Sequence, residues 1–343
     1  MQEITKIDDN YKEWIKELSQ RFKRSQIKAA ISVNTELLRF YWSIGEDIVL
    51  RQAESKWGEK FFDTLSKDLQ KEIPDAKGLS PINLRYMKRF YLLYNQNYKI
   101  VPQLVEDLFS IPWGHHRLII DKVKGNIQKA IFFVQKAIEN NWSRSVLLNF
   151  LDTNLYERQG KAITNFKTTL PIPEGELAQQ LTKDPYNFDF LTLTEGFKEK
   201  ELKDALMNNL SNFLLEMGRG FAYVGREYRL QVGSKEFFID LLFYNIHLHA
   251  YCVVELKTTE FEPEYIGQLG MYMVAVNHQL KREGDNNTIG LIICKTKDNI
   301  TAQYSLETTN QPIGISEFSL ENILPEDFKS SLPSIEEIEN ELR

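Results

Sequence analysis

In the stretch FFIDLLFYNIHLHAYCVVELK, residues 237–257, three charged residues interrupt segments otherwise suited to a core: Asp240, Glu255 and Lys257. A buried unpaired charge is costly enough to titrate away, so each of the three needs a partner or a bound ion. The stretch reads as two apolar strands joined by a turn at NIHLH. Side chains alternate across a strand, which puts Val253, Glu255 and Lys257 on one face and Val254 and Leu256 on the other. With the turn centred between His247 and Leu248, Asp240 falls opposite Glu255, their Cβ atoms about 4.5–5.5 Å apart. Two carboxylates that close repel unless a proton or cation sits between them. A hard divalent cation such as Mg²⁺ or Mn²⁺ resolves the conflict, since it prefers oxygen ligands and tolerates retained waters. The Leu256 carbonyl is a further ligand candidate, and Lys257 is placed to hold a water or a developing charge. This set suits metal-assisted attack of water on a phosphodiester.

Other residues converge on the same face. Glu216 ends the preceding helix, off its apolar stripe, and is a candidate metal or water ligand; a solvated helix-end carboxylate is its other reading. Gln268 and Tyr272 stand four apart on the helix after Lys257 and share a surface. An amide at Gln268 would orient the lysine or the phosphate, while Tyr272 reads as a packing residue. Thr258 and Thr259 read as continuing the strand, with a hydroxyl contact to phosphate as their other reading. His247 and His249 occupy the turn, and His115 and His116, adjacent on a helix, point about 100° apart and make poor joint ligands. No Gly-x-Ser-x-Gly, Walker A or dinucleotide-binding glycine pattern is present, so no nucleotide cofactor is expected.

The elements that must position this chemistry follow from pattern. Up to residue 155 the chain reads as helical: apolar residues recur at helical spacing in SQIKAAISVNTELLRFYWSIGEDIVL and in EKFFDTLSKDLQKEI. Pro74 and Gly78 break the chain, Ser80 caps the next helix and Pro81 suits its first turn, with Leu84, Met87, Tyr91 and Tyr94 inward. Further helices are expected over 102–124, 126–140 and 143–152, the last capped by Ser143. Residues 156–195, rich in glycine and proline without a sustained period, read as an extended connection. Residues 196–325 read as an α/β domain with a mixed sheet: a helix over KEKELKDALMNNLSNFLLEMGRG, the strands FAYVGREYRLQV, FFIDLLFY and AYCVVELK, the helix PEYIGQLGMYMVAVNHQL and the strand TIGLIICK. Residues 326–343 read as an acidic helix or tail.

Composition bounds the rest. With 343 residues, two domains are expected. No apolar run is long enough to span a bilayer, the N-terminal residues lack the pattern of a secretory signal, and the two cysteines, Cys252 and Cys294, sit in strand-like segments, so the chain reads as cytoplasmic with buried thiols. Residues 1–180 carry 27 Lys+Arg against 22 Asp+Glu, whereas residues 181–343 carry 15 against 26. That asymmetry fits one module that faces a polyanion and another that concentrates carboxylates. The helix after Gly78 presents Asn83, Arg85, Lys88 and Arg89 and resembles the second half of a helix-turn-helix, which makes these four the candidate nucleic-acid contacts. Its other reading is an ordinary charged helix face.

The pattern Asp240-x14-Glu255-x-Lys257, with a preceding helical Glu216 and a following Gln268-x3-Tyr272, resembles the PD-(D/E)XK nuclease superfamily. The fuller text from FAYVGREYRLQV to GMYMVAV is similar to its YhcG-like branch, as are ELLRFYWSIGEDI and GLSPINLRYMKRFY to that branch's N-terminal domain. The resemblance covers roughly residues 10–160 and 185–320, and departs from the superfamily pattern at Ile239, where the name has proline. It implies a restriction-endonuclease-like domain, with helices flanking the mixed sheet, after an all-helical domain. It also implies Asp240 and Glu255 as metal ligands, Lys257 as partner of the attacking water, and Glu216 and Gln268 as the matching helical residues. A Mg²⁺- or Mn²⁺-dependent DNA endonuclease is therefore expected, with the helical domain holding substrate. A homodimer would allow both strands to be cut, and by analogy the setting is defence, restriction or mobile elements. The rival expectations are a non-catalytic DNA-binding or assembly subunit that retains the fold, and a nuclease for RNA or branched DNA.

Overall fold

The computed structural model describes residues 9–58, 60–98 and 102–324, and the chain divides into two units, Met1–Tyr156 and Glu157–Arg343. The first is helical: α1 (Asp9–Leu50), α2 (Ala53–Trp57), α3 (Phe61–Glu72), α4 (Pro81–Tyr98), α5 (Pro102–Ser110), α6 (Trp113–Lys122), α7 (Ile127–Asn140) and α8 (Arg144–Asp152). The α4 helix starts where the sequence predicts, with Pro81 its first residue and the Asn83 N–H donating to Ser80 Oγ at 3.3 Å. Its stripe of Leu84, Met87, Tyr91 and Tyr94 is buried against Leu38 and Trp42 of α1 and Phe109 of α5. The two long helices approach closely at Gly45, where an added Cβ would collide with the Met87 carbonyl. The single helix expected over 102–124 is two, because Pro112 cannot continue α5 and instead caps α6. Ser143 accepts from the Val146 N–H and starts α8.

A short helix, α9 (Leu155–Arg158), ends the first unit and begins the second. Then come β1 (Ile163–Thr164), α10 (Phe166–Thr169), α11 (Ile172–Leu181), β2 (Tyr186–Asn187), β3 (Leu193–Thr194), α12 (Glu199–Asn208) and α13 (Leu210–Met217). The sheet strands follow as β4 (Phe221–Val232), β5 (Lys235–Asn245) and β6 (Ala250–Glu260), then α14 (Glu264–Gln279), β7 (Ile289–Thr296), α15 (Asn299–Glu307), β8 (Ile313–Ser319) and β9 (Ile323–Leu324). The main sheet runs β1-β8-β7-β6-β5-β4, with β2 also on β8 and a separate pair of β3 with β9. It is mixed: β4, β5 and β6 are antiparallel neighbours, and β6, β7 and β8 are parallel. One face buries Leu241, Phe243, Val254 and Leu256 against Leu202 and Leu206 of α12 and Phe213 of α13. The other buries Ile239, Leu242 and Val253 against Leu269, Met273 and Val276 of α14.

Two expectations are corrected here. Residues 156–195 are not an extended connection but part of the second unit's core, since Phe166, Ala178, Tyr186, Phe188 and Leu191 are fully buried in it. Their apolar residues are anchored by two-residue sheet edges, the four-residue α10 and the ten-residue α11, each too short to sustain a period. The helix expected from Lys198 to Met217 is broken at Asn209, whose side-chain amide donates to the Ala205 carbonyl at 3.0 Å and takes a backbone acceptor at the helix end. The α15–β8 segment was not legible as separate elements, although it completes the sheet. The acidic tail expected over 326–343 lies outside the described residues.

Candidate functional site

The hairpin register is the one the sequence predicts: β5 and β6 pair from Leu241 with Val254 to Asn245 with Ala250. The turn is set by Asn245, whose Oδ1 accepts from the His247 and Leu248 N–H groups. One step beyond the last ladder pair stand Asp240 and Glu255, and there carboxylates take the backbone donors. Asp240 Oδ2 accepts from the Leu256 N–H at 3.0 Å, and Glu255 Oε1 accepts from the Asp240 N–H at 3.4 Å. Each acid is thus fixed on the other's strand, and both are buried, at 7% and 2% exposure. Burial, then the charge of Asp240, holds the Glu255 carboxyl well above the ordinary range, with Lys257 opposing.

Lys257 Nζ lies 3.4 Å from Glu255 Oε2 and 3.7 Å from Glu199 Oε2, above the ring of Tyr265. Burial alone would lower its pKa, but the carboxylates of Glu255, Glu199 and Asp240 raise it on balance. A second ammonium completes the cluster. Lys203 Nζ is 2.8 Å from Asp240 Oδ1, 3.8 Å from Glu199 Oε1 and 3.9 Å from Glu227 Oε1. Sequence reasoning missed Glu199 and Lys203. They stand four apart on α12, next to the buried Leu202 and Leu206 that dock the helix on the sheet, so a Glu-x3-Lys pair beside a core stripe was the available signal.

Glu216 is not in this cluster, which corrects the sequence expectation. Its Oε1 accepts from Arg158 Nη1 at 2.6 Å and from the Asn187 N–H at 2.9 Å, while Lys183 Nζ donates to its backbone carbonyl. It is a buried acid satisfied by the 157–187 segment, a pairing across 58 residues that spacing cannot reveal. Gln268 is joined to the site at one remove: its Nε2 donates to Tyr272 Oη at 2.8 Å, and Tyr272, buried on α14 beside Phe237 of β5, feels the charges of Glu255, Asp240 and Lys257.

The four candidate nucleic-acid contacts fare differently. Asn83 is buried, donating to the Gly78 carbonyl and accepting from Trp113 Nε1, so it ties the helix start together and cannot read a base. Arg85, Lys88 and Arg89 face outward, but each meets an acid of its own unit: Asp63 at 3.8 Å, Glu54 at 2.6 Å and Asp121 at 2.7 Å. His115 and His116 bond to the Trp142 and Leu108 carbonyls and hold no joint site. Cys252 and Cys294 are buried free thiols.

The donor chemistry limits which ion these residues could hold. Among the described residues no group of three or more His, Cys, Asp or Glu is arranged to hold a metal, which excludes a tetrahedral zinc cage there. Two buried carboxylates with oxygen donors only, inside a cluster of four acids and two ammoniums, suit a hard dication that keeps several waters, as Mg²⁺ does.

Residues 179–333 match the YhcG PDDEXK nuclease domain, and residues 17–158 match the DUF1016 N-terminal domain. The Escherichia coli (strain K12) protein named "Putative nuclease YhcG" is 28% identical, the match covering 84% of this chain and 85% of that protein. Among solved structures, a repair endonuclease from Pyrococcus abyssi is 18% identical over 37% of this chain and 49% of its own, with a TM-score of 0.25. The EndoMS chain of an EndoMS–dsDNA2 complex is 20% identical over 40% and 48%, with a TM-score of 0.26. The chain thus spans about half the length of the solved structures it matches. Its fold, its hairpin acids and both domain matches agree: the chain belongs to the YhcG-like branch of the PD-(D/E)XK nucleases, with a DUF1016 N-terminal domain before the nuclease domain.

Proposed function

We propose that the chain is a metal-dependent DNA endonuclease whose cutting site is the Asp240–Glu255–Lys257 cluster. The observation that carries the reading is the reciprocal seating of Asp240 and Glu255 on each other's backbone donors, with Lys257 on the same strand. Two acids so fixed in a buried sheet are preorganised for a ligand that offsets their repulsion. Asp240, Glu255 and the Leu256 carbonyl would hold a Mg²⁺ or Mn²⁺ ion. Such an ion, when bound, lowers the pKa of a water and offsets phosphate charge.

The protein's own groups carry the rest of the work. Lys257 stays protonated beside Glu255 and Glu199, and its ammonium orients the attacking water or stabilises charge on the phosphate. Glu199 holds Lys257 and Lys203 in place from α12. Gln268 and Tyr272 support the α14 wall of the site. DNA as substrate is supported by the excess of basic residues over residues 1–180, and the helical domain is the candidate holder of that substrate.

The test is cleavage of plasmid, linear duplex, single-stranded and branched DNA with and without Mg²⁺ or Mn²⁺, using Lys257→Ala as control. Metal-dependent cutting that disappears in the variant is the expected result. Tight DNA binding with no cutting under any condition would instead favour a non-catalytic subunit.

A further inference from the structure

The α1 helix carries two apolar faces, and among the described residues its own bundle buries side chains of one of them. From Asn34 onward the helix belongs to the core: Asn34 and Thr35 donate to the Phe109 carbonyl, and Leu38, Tyr41 and Trp42 are buried. Residues 11–33 are exposed along almost their whole length, about 35 Å of helix. On them Tyr11, Ile15, Leu18 and Phe22 recur at alternating spacings of four and three, and Ser25 and Ala29 continue the same seam. Tyr11, Ile15 and Phe22 are 46%, 43% and 64% exposed. Helical geometry turns this seam away from the Asn34–Leu38–Trp42 side.

We propose that this seam pairs with the same seam of a second copy of the chain, as an antiparallel two-helix coiled coil. The partner is named by complementarity of size and charge. Aligning two copies antiparallel about residue 20 sets Tyr11 on Ala29, Ile15 on Ser25 and Leu18 on Phe22, so each large side chain meets a small one or its apolar equal. A parallel pair would stack Phe22 on Phe22 and leave Ser25 facing Ser25. Charge decides the same way. Residues 9–20 hold Asp9, Glu13 and Glu17 against Lys12 and Lys16, whereas residues 21–33 hold Arg21, Lys23, Arg24 and Lys28 with no acid. The antiparallel pair sets the mixed half against the basic half, while a parallel pair would set the basic halves against each other. The contact is isologous, so it closes at two copies. It does not depend on the chemistry proposed for Asp240.

The mass of the full chain by light scattering and by analytical ultracentrifugation tests the pairing. A dimer of the 40.2 kDa chain is expected, and Phe22→Glu should raise its dissociation constant roughly 100-fold, since a carboxylate would enter an apolar seam. Phe22 is exposed in the single chain, so the variant should keep its helicity and its melting temperature at low concentration. For the direction of pairing, Ile15→Cys with Ser25→Cys in one chain should give a covalent dimer on mild oxidation, and each single replacement should not. A monomer at about 100 μM, or a dimer indifferent to Phe22→Glu, overturns the pairing; efficient crosslinking of either single variant overturns its antiparallel direction.

Discussion

Lys203 Nζ stands 2.8 Å from Asp240 Oδ1, so the acid proposed as a metal ligand already has a cation from its own chain. Burial works against that ammonium, but Asp240 and then Glu199 and Glu227 raise its pKa on balance. The ion pair therefore steadies the metal-free site and competes with metal. Lys203→Met keeps the aliphatic stem while removing the charge. It should lower the metal-free melting temperature by a few degrees, equivalent to about 1–2 kcal/mol for a partly shielded pair. The gain in melting temperature on adding Mg²⁺ should become larger than in the parent chain. An unchanged Mg²⁺-dependent shift in a thermal melt would remove Lys203 from any part in ion binding.

Glu199, on which sequence reasoning placed no expectation, stands beside Lys257 and Lys203, whereas Glu216 is bound to Arg158, and one pair of variants separates the two acids. Glu216→Gln breaks a buried ion pair with Arg158 and should cost about 3–5 kcal/mol of stability, read by urea unfolding, while leaving the cleavage rate of the folded fraction within a few-fold. Glu199→Gln touches a half-exposed acid and should cost under about 1 kcal/mol, yet it frees Lys257 and Lys203 and should slow cutting by about 10-fold or more. The reverse pattern would return Glu216 to the site.

What the sequence made legible and what it hid have distinct physical causes. The hairpin register follows from alternation and a short turn, both local, which is why the sequence alone sets Asp240 opposite Glu255. The Ser80–Pro81 helix start is local in the same sense. Glu216 was misplaced because its partner Arg158 comes from a segment with no period of its own. Asn83 was misread as outward because a polar side chain on a basic helix resembles a reader, whereas here its amide closes the Gly78 turn and binds Trp113. Arg85, Lys88 and Arg89 show how a basic face can be answered by acids from α3, α2 and α6 that no window of sequence brings together.

Glu255 is expected to trade stability for chemistry. Its raised pKa means that the folded state disfavours the ionised form, so the stability it contributes is greatest at low pH and is lost as pH rises through the folded value. At pH 8 in chelator, Glu255→Gln should therefore melt higher than the parent, by about 2–4 °C for each kcal/mol relieved. The same variant should bind DNA and fail to cut it in Mg²⁺. A lower melting temperature in chelator would mean that the carboxylate is stabilising as it stands.

His116 should set a pH limit on the helical unit. Its Nε2–H donates to the Leu108 carbonyl at 2.7 Å, which leaves Nδ1 buried and without a partner among the described residues. Rings of Phe90 and Tyr94 pack against it. Burial lowers its pKa from 6.5 to about 4; the Leu108 bond opposes the shift and the neighbouring His115 adds to it. Above pH 6.5 the imidazole is neutral in both the folded and the unfolded chain and makes no pH-dependent difference. As pH falls below that value, the unfolded chain takes up a proton that the folded chain refuses, and stability drains away until the folded pKa near 4 is reached. The shift corresponds to roughly 3 kcal/mol. His116→Gln keeps a donor for the Leu108 carbonyl and does not titrate. Urea unfolding of the helical unit's transition at pH 7.5, 6 and 4.5 should show a loss in the parent that is about 2–3 kcal/mol larger than in the variant. Parallel curves for the two would mean that His116 is protonated in the folded state and that its ring is wetter than its packing indicates.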